Sequence, residues 1–156
     1  LALERPWAVD EVIFDAKNES IGVFLRHRSN ARFHCPECGA VLPLYDHTPS
    51  RKWRHLDHGS WLTLVFARVP RVNCLFHGIQ RVRLPWALSG SRFTLGFETH
   101  AIDTLLEADV LGASRLLRLS WDETWGLMTR AVDRGLKAWP TTRPARTSSA
   151  ASAVAG

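Results

Sequence analysis

The sequence predicts an α+β fold in which a β-rich N-terminal half is followed by three helices. Hydrophobic residues alternate with a period of two in segments before Pro85, and the period becomes helical after it. Hydrophobic residues make up 46% of the 156 residues and charged residues 22%, which is typical of a folded protein. We therefore expect a β domain at residues 1–88, a helical domain at 89–139 and a disordered tail at 140–156.

Four segments of the first half show the strand period: residues 9–16, 20–28, 61–73 and 79–84. The polar turn at residues 17–19 predicts that the first two strands form a hairpin. Pro70 lies inside the third segment and predicts an edge or a bulge there. The fourth segment places Arg81 and Arg83 on one face, because side chains alternate along a strand.

Three helical segments follow, at residues 93–108, 112–119 and 120–139. The third begins with an S-x-x-E capping box, formed by Ser120 and Glu123. Its large apolar residues recur every three or four positions and predict a stripe that packs into the core: Trp121, Trp125, Met128, Val132, Leu136 and Trp139. A short second helix before a longer third one is the order found in helix-turn-helix units.

The ends of the chain carry little hydrophobic patterning. The tail at 140–156 is rich in Pro, Ser, Thr and Ala, so it cannot offset the entropy of ordering. No stretch approaches the roughly 18 apolar residues of a membrane span, and residues 1–10 lack the apolar core of a signal peptide. We expect a cytoplasmic protein without a membrane partner.

The positive charge is concentrated in the middle of the chain. Residues 26–92 hold 11 basic residues against 3 acidic ones, an excess of eight positive charges. Residues 93–139 hold five basic and seven acidic residues, a net charge of −2. A segment rich in arginine favours a polyanion as partner, since the guanidinium fork fits phosphates and guanine edges. A merely solvated basic face is the alternative.

All three cysteines fall in one repeated pattern. Cys35-Pro-Glu-Cys38-Gly39 is matched by Cys74-Leu-Phe-His77-Gly78. Two residues between ligands let a tight turn aim both donors at one ion, and the glycine permits the positive φ of that turn. Three thiolates and one imidazole give a closed tetrahedral zinc shell, so we expect Cys35, Cys38, Cys74 and His77 to hold a structural zinc ion.

Other interpretations of the cysteines are weaker. A redox pair at Cys35 and Cys38 leaves Cys74 and His77 unexplained. The odd number of cysteines and the expected compartment disfavour a disulfide. Inert buried cysteines are the remaining alternative. A metal-dependent nuclease is disfavoured, because four ligands leave no open position on the ion.

A basic cluster, Arg51-Lys52-Trp53-Arg54, lies between the two cysteine motifs. Trp53 can stack on a base, or it can pin the zinc-binding part of the β domain at residues 1–88, here called the ribbon, to the first hairpin. We favour the core for Trp53 and the surface for its basic neighbours. The third helix carries Asp122 and Glu123 in its first turn, where phosphates would repel them. Which unit reads bases stays open. The expected DNA contacts are Arg51, Lys52, Arg54, Arg71, Arg81, Arg83, Arg130 and Arg134.

Seven motifs occur together in this order: Cys35-Pro-Glu-Cys38-Gly39, Arg51-Lys52-Trp53-Arg54-His55-Leu56-Asp57, Pro70-Arg71-Val72-Asn73-Cys74, His77-Gly78, Pro85-Trp86-Ala87, Arg92-Phe93-Thr94 and Leu119-Ser120-Trp121-Asp122-Glu123. Over residues 6–136 the series resembles the N-terminal half of the ISL-three family of bacterial insertion-sequence transposases. The combination is more specific than any single motif.

The resemblance implies a zinc finger and a helix-turn-helix that bind the inverted repeats at the element's ends. It also implies that an RNase-H-like domain with three carboxylates and Mg²⁺ follows in the family. Here the tail at 140–156 stands where that domain would begin, so we expect no catalytic residues and a truncated or frameshifted copy.

The leading hypothesis is a non-catalytic, zinc-dependent portion of a transposase that binds double-stranded DNA at terminal inverted repeats. This predicts association with the bacterial nucleoid and no small-molecule substrate. The alternatives are a protein interaction and assembly module, which would allow a homo-oligomer, and a zinc-ribbon transcriptional regulator. Gel-shift titration against element ends and random duplex separates binding from assembly.

Overall fold

The computed structural model describes residues 3–138, and the predicted α+β class is confirmed. Seven strands come first: β1 Trp7–Asp15, β2 Ser20–His27, β3 Arg32–His34, β4 Val41–Pro43, β5 Asp46–His58, β6 Trp61–Cys74 and β7 Gly78–Arg81. Three helices follow: α1 Leu95–Glu107, α2 Val110–Leu117 and α3 Trp121–Ala138. Trp139 and the tail at 140–156 lie outside the described residues.

The main sheet has the strand order β1-β2-β6-β5, and β7 pairs with β6. The predicted hairpin forms between β1 and β2, and β2 then runs parallel to β6. β5, which the sequence analysis did not assign as a strand, is antiparallel to β6 and contains the basic cluster. The pairing of β5 with β6 shifts register beside Pro70, as the proline predicted. β3 and β4 form a separate two-stranded sheet.

Tryptophan side chains build the core under the inner face of the main sheet. Trp53 and Val65, partners across β5 and β6, are both fully buried. The Trp86 ring lies edge-on to Trp53 at 5.9 Å and to Trp7 at 4.6 Å. The predicted core position of Trp53 is confirmed, and this core fixes β5 against the preceding hairpin.

The helices are capped by short polar side chains. Thr94 accepts from the backbone N–H of Phe97 at the start of α1, and Asp109 accepts from Gly112 at the start of α2. The predicted capping box of α3 forms: Ser120 Oγ accepts from Glu123 N–H at 3.2 Å, and Ser120 N–H donates to Glu123 Oε2 at 3.1 Å. Within residues 3–138, none of the helices has the length and apolar content needed to cross a membrane.

A second hydrophobic core lies among the helices. Its fully or nearly fully buried members are Phe93, Phe97, Ala101, Ala113, Leu117 and Leu127. The segment leading into α1 runs beside the edge strand β5, because Arg54 N–H donates to Arg92 O at 2.8 Å and Thr94 N–H donates to Arg54 O at 2.9 Å. The helices therefore pack against one edge of the sheet.

Most of the predicted apolar stripe of α3 is not in the core, and Met128 is its half-buried member. Leu127 and Thr124 form the buried face of the helix instead. Trp121 and Trp125 stack on each other at 5.2 Å but are 49% and 46% exposed, and Val132 and Leu136 are exposed as well. Helical periodicity identifies an apolar face, but it does not say whether this chain supplies the surface that covers it.

Candidate metal centre and nucleic-acid surface

Four side chains from two turns meet at one point. The Sγ atoms of Cys35, Cys38 and Cys74 and a ring nitrogen of His77 lie within 4.8 Å of one another. Cys38 Sγ and Cys74 Sγ are 3.6 Å apart, and His77 Nδ1 is 3.6 Å from Cys74 Sγ and 3.9 Å from Cys35 Sγ. With Zn–S bonds of about 2.3 Å and Zn–N bonds of about 2.0 Å, a tetrahedron has edges of about 3.5 to 3.8 Å. The donors and their spacing fit a zinc ion.

Each pair of donors sits on a tight turn that is followed by glycine. In the first turn Gly39 N–H donates to Cys35 O at 2.9 Å, and Cys35 N–H donates to Ala40 O at 2.9 Å. Gly39 and Gly78 have φ values of +74° and +65°. Residues with a Cβ rarely adopt such angles, so the glycine after each second donor is required by the backbone.

Backbone N–H groups also point at the sulfur atoms. The N–H of Phe76 donates to Cys74 Sγ and lowers the pKa of that thiol, with a smaller contribution from His77. At Cys38 the N–H of Ala40 acts in the same direction, yet desolvation and the thiols of Cys74 and Cys35 outweigh it, so its pKa is raised. Three thiolates this close repel one another, and a divalent cation removes that cost.

The centre links elements that are far apart in the sequence. Cys35 and Cys38 lie in the turn between β3 and β4, while Cys74 ends β6 and His77 precedes β7. β3 and β4 have three residues each, which is too short for an isolated hairpin to be stable. A metal ion at this point would therefore fasten the small sheet to the main one.

A groove of about 790 Å³ runs beside the centre. Pro36 of the first turn lines it, and Arg83 Nη2 donates to Pro36 O at 2.7 Å. Three of the arginines expected to contact DNA line the groove: Arg51, Arg81 and Arg83. The structure thus brings these residues, which are distant in sequence, onto one positively charged surface, here called the arginine groove.

Two other ribbon residues have different surroundings. Lys52 is exposed on β5. Arg71 donates from Nε to Asp46 Oδ1 at 2.6 Å, and this bond lowers the pKa of the Asp46 carboxyl. Part of the hydrogen-bonding capacity of Arg71 is therefore already used within the protein.

Arg54 is largely covered, and this corrects the expectation that it lies on the surface. Its side chain is only 10% exposed, and Nη2 donates to Asp57 Oδ2 at 2.8 Å. The guanidinium also lies 5.4 Å from the centre of the Phe97 ring. Lys52 and Arg54 share one face of β5, but α1 covers the end of the strand that carries Arg54.

The two arginines of α3 line a second groove of about 320 Å³. Arg130 is exposed, whereas Arg134 Nη2 lies 3.2 Å from Glu98 Oε2 on α1. Glu98 is buried, with a side chain only 4% exposed, and it accepts from Ser91 Oγ at 2.7 Å. Arg134 therefore links α3 to α1, and Glu98 links α1 to the loop before it.

Two features of these surfaces were not predicted from the sequence. The first is the buried Glu98. The only sequence feature that could have indicated its burial is its position next to the aromatic Phe97 on the packed face of α1. The second is the pair Leu75 and Phe76, which are 97% and 85% exposed in the turn between Cys74 and His77. The sequence feature that could have indicated this exposed pair is the presence of two large apolar residues in a turn, where polar residues are usual.

Comparison with known proteins places these units in one family. Residues 31–77 match the model described as the zinc-finger of transposase IS204/IS1001/IS1096/IS1165, and residues 82–132 match the helix-turn-helix domain of transposase family ISL3. The chain is 26% identical over 135 residues to the transposase for insertion sequence element IS1557 from two Mycobacterium tuberculosis strains, CDC 1551 / Oshkosh and ATCC 25618 / H37Rv.

The aligned part is 83% of this chain, and the chain spans about 30% of the length of these relatives. No solved structure matches the chain. The matched zinc-finger region contains the four converging donors, and the matched helix-turn-helix region contains all three helices except the end of α3. Two separate regions of the chain thus match the zinc-finger and the helix-turn-helix models of ISL3-type transposases, as the sequence motifs predicted.

Proposed function

We propose that this chain is the part of an insertion-sequence transposase that binds the terminal inverted repeats of its element. One observation carries the proposal: the arginine groove lies directly beside the four-donor metal centre. Arg83 bridges the two, since it lines the groove and donates to the backbone of the first metal turn. Metal binding would thereby fix the surface that meets phosphates.

In this proposal Cys35, Cys38, Cys74 and His77 are the zinc ligands, with His77 binding through Nδ1, the nitrogen nearest the thiols. Four protein ligands complete a tetrahedral shell. The metal would therefore supply folding energy and not an activated water. The role of these residues is to hold a DNA-binding surface in shape, and we assign no catalytic residue to the chain.

We assign phosphate contacts to the exposed basic residues of the sheet region, Lys52, Arg81 and Arg83. Arg51, which is half-buried and donates to Ser91 O at 3.2 Å, and Arg71, which Asp46 engages, have lesser roles. Such contacts position a protein on duplex DNA without reading sequence. The excess of eight positive charges in residues 26–92 supports the assignment of phosphate contacts to this region.

We assign sequence preference to α3, through Arg130 and, secondarily, Arg134. The capped start of α3 and the left-handed Arg118 that ends α2, with φ of +55°, fit the geometry of a helix-turn-helix. The separate hydrophobic cores support domains at 1–88 and 89–139. A protein of this kind would lie at the nucleoid of its cell.

Self-association is a second candidate function, and the exposed stripe of α3 favours it. Trp121, Trp125, Val132 and Leu136 present a continuous apolar face that a second copy of the chain could cover. Sedimentation velocity tests this: the native chain should dimerise, Trp125→Glu should be monomeric, and Leu116→Glu, an exposed change on α2, should behave as the native chain. A native chain that is monomeric at all concentrations excludes this candidate.

Gel-shift titration tests the main proposal. The zinc-loaded chain is titrated against a duplex carrying an end of its own element and against a random duplex of equal length. We expect tighter binding to the element end, and loss of that binding when zinc is chelated. Equal affinity for both duplexes would remove the inverted-repeat assignment, and absence of binding to either would remove the DNA-binding role.

A further inference from the structure

The turn between Cys74 and His77 carries two large apolar side chains that nothing in residues 3–138 covers. Leu75 is 97% exposed and Phe76 is 85% exposed. We call this pair the apolar tip. Large apolar residues at such a position forgo the stabilisation that burial provides, which points to burial in a complex.

The backbone of the apolar tip is held although its side chains are free. Cys74 is buried and pairs in register with Gly78, so the turn that carries the tip closes between two paired strands. The tip therefore has little backbone entropy left to lose when it inserts into a partner. This distinguishes it from a flexible exposed loop.

Arginines lie on the two strands that lead into and out of the apolar tip. It joins β6 to β7, and Arg71 on β6 pairs in register with Arg81 on β7, three positions from Cys74. The arginine groove follows on the same ribbon and includes Ile79, which is half-exposed beside the tip. An apolar point flanked by arginines matches the chemistry of duplex DNA, with stacked bases between two rows of phosphates.

We propose that Leu75 and Phe76 insert as an apolar wedge against the base stack of duplex DNA, while Arg81 and Arg83 contact the flanking phosphates. This inference rests on the proposed DNA-binding function and adds to it a deformation of the bound DNA. Apolar side chains inserted at a base step unstack it and bend the duplex. Steps that unstack easily, such as TA, are the preferred places.

The test uses the zinc-loaded full chain and a duplex of about 30 base pairs, or three helical turns, with 2-aminopurine at its TA steps. The native chain should raise the 2-aminopurine fluorescence on binding. Leu75→Ser combined with Phe76→Ser should abolish the rise and weaken binding about tenfold. The dependence of affinity on salt should stay unchanged, because apolar side chains release no counterions.

Leu106→Ser combined with Leu116→Ser is the matched control, since both residues are exposed and lie on α1 and α2. This variant should keep the native affinity and the native fluorescence. Phe76→Trp should also keep both, because it preserves a flat ring. Unfolding midpoints and zinc affinity of all variants should equal the native values, which separates loss of the wedge from loss of the fold.

Three results overturn the inference. Native affinity and native fluorescence in the Leu75→Ser, Phe76→Ser chain remove the wedge but leave the proposed DNA binding intact. If the Leu75→Ser, Phe76→Ser chain binds DNA as the native chain does but no longer self-associates in sedimentation, the apolar tip is a protein contact. A native chain that does not bind the duplex at low salt would remove the proposed function itself.

Discussion

Arg134 on α3 and Glu98 on α1 form an ion pair at 3.2 Å in which the carboxylate is almost completely buried. Ser91 donates to the other carboxylate oxygen at 2.7 Å, so Glu98 connects both helices to the loop that enters the helical unit. Removal of one partner from a buried pair leaves a charge without compensation, which costs more than the pair itself contributes.

The first prediction concerns this pair. Arg134→Ala should lower the free energy of unfolding by about 2 kcal/mol, because Glu98 loses its charged partner and keeps only the hydroxyl of Ser91. Arg130→Ala, an exposed change on the same helix, should cost less than about 0.5 kcal/mol. Urea denaturation followed by circular dichroism measures both. Equal stability of the two variants would show that Arg134 is free for another partner.

The second prediction concerns the dependence of DNA affinity on salt. If about four phosphates are neutralised by the ribbon, log K falls with log salt at a slope near −3.6. Arg81→Ala combined with Arg83→Ala should make this slope shallower by about 1.8. Arg54→Ala should leave it unchanged, because that side chain is covered by α1 and paired with Asp57. Fluorescence anisotropy at several salt concentrations is the measurement, and a shallower slope for Arg54→Ala would contradict the assignment.

The third prediction concerns the metal centre. Chelation, or Cys38→Ser, should unfold the region around β3, β4 and β7 while the helical signal remains, because the helices have their own hydrophobic core. Structural zinc contributes about 10 kcal/mol or more to folding. His58→Ala is the control, since His58 is exposed and lies outside the four-donor cluster. Parallel loss of strand and helix signals in circular dichroism would show that both regions unfold together.

The metal centre could be predicted from the sequence because its physics is local. A tight turn, two donors and a glycine are sufficient to place a pair of ligands, and the second pair repeats the first. The capping box of α3 is local in the same way, and its hydrogen bonds form as predicted. The capping box and each single pair of donors depend on neighbours within about four residues, and the repetition of the motif indicated that the two distant pairs share one site.

The errors arise where tertiary contacts decide. Arg54 and Lys52 are equivalent in sequence pattern. Arg54 is largely covered and Lys52 is exposed only because α1 lies over one end of β5. Trp121 and Trp125 follow a helical period, but the packed face of α3 is that of Thr124 and Leu127. Periodicity shows that a helix is amphipathic, but it does not show which of its faces the rest of the chain covers.

The last prediction concerns pH and the junction between β5 and α1. His55 Nδ1 is 2.8 Å from Thr94 Oγ1, the hydroxyl that caps α1 by accepting from Phe97 N–H. Burial lowers the pKa of His55 below its ordinary value of 6.5. The unfolded chain then binds more protons than the folded one below that value, so stability is complete above about pH 6.5 and declines as pH falls toward the folded-state pKa.

The unfolding midpoint of the native chain should therefore be lower at about pH 5.5 than at about pH 7.5. His55→Gln keeps a polar side chain but cannot gain the proton, so its midpoint should fall less over the same interval. His47, whose pKa is also lowered by burial, remains in both chains and contributes to the residual dependence. His100→Gln, an exposed change on α1, should retain the full native dependence. Scanning calorimetry at the two pH values measures these midpoints. Equal changes in midpoint for the native chain and His55→Gln would show that His55 does not couple the β5 edge to the helix cap.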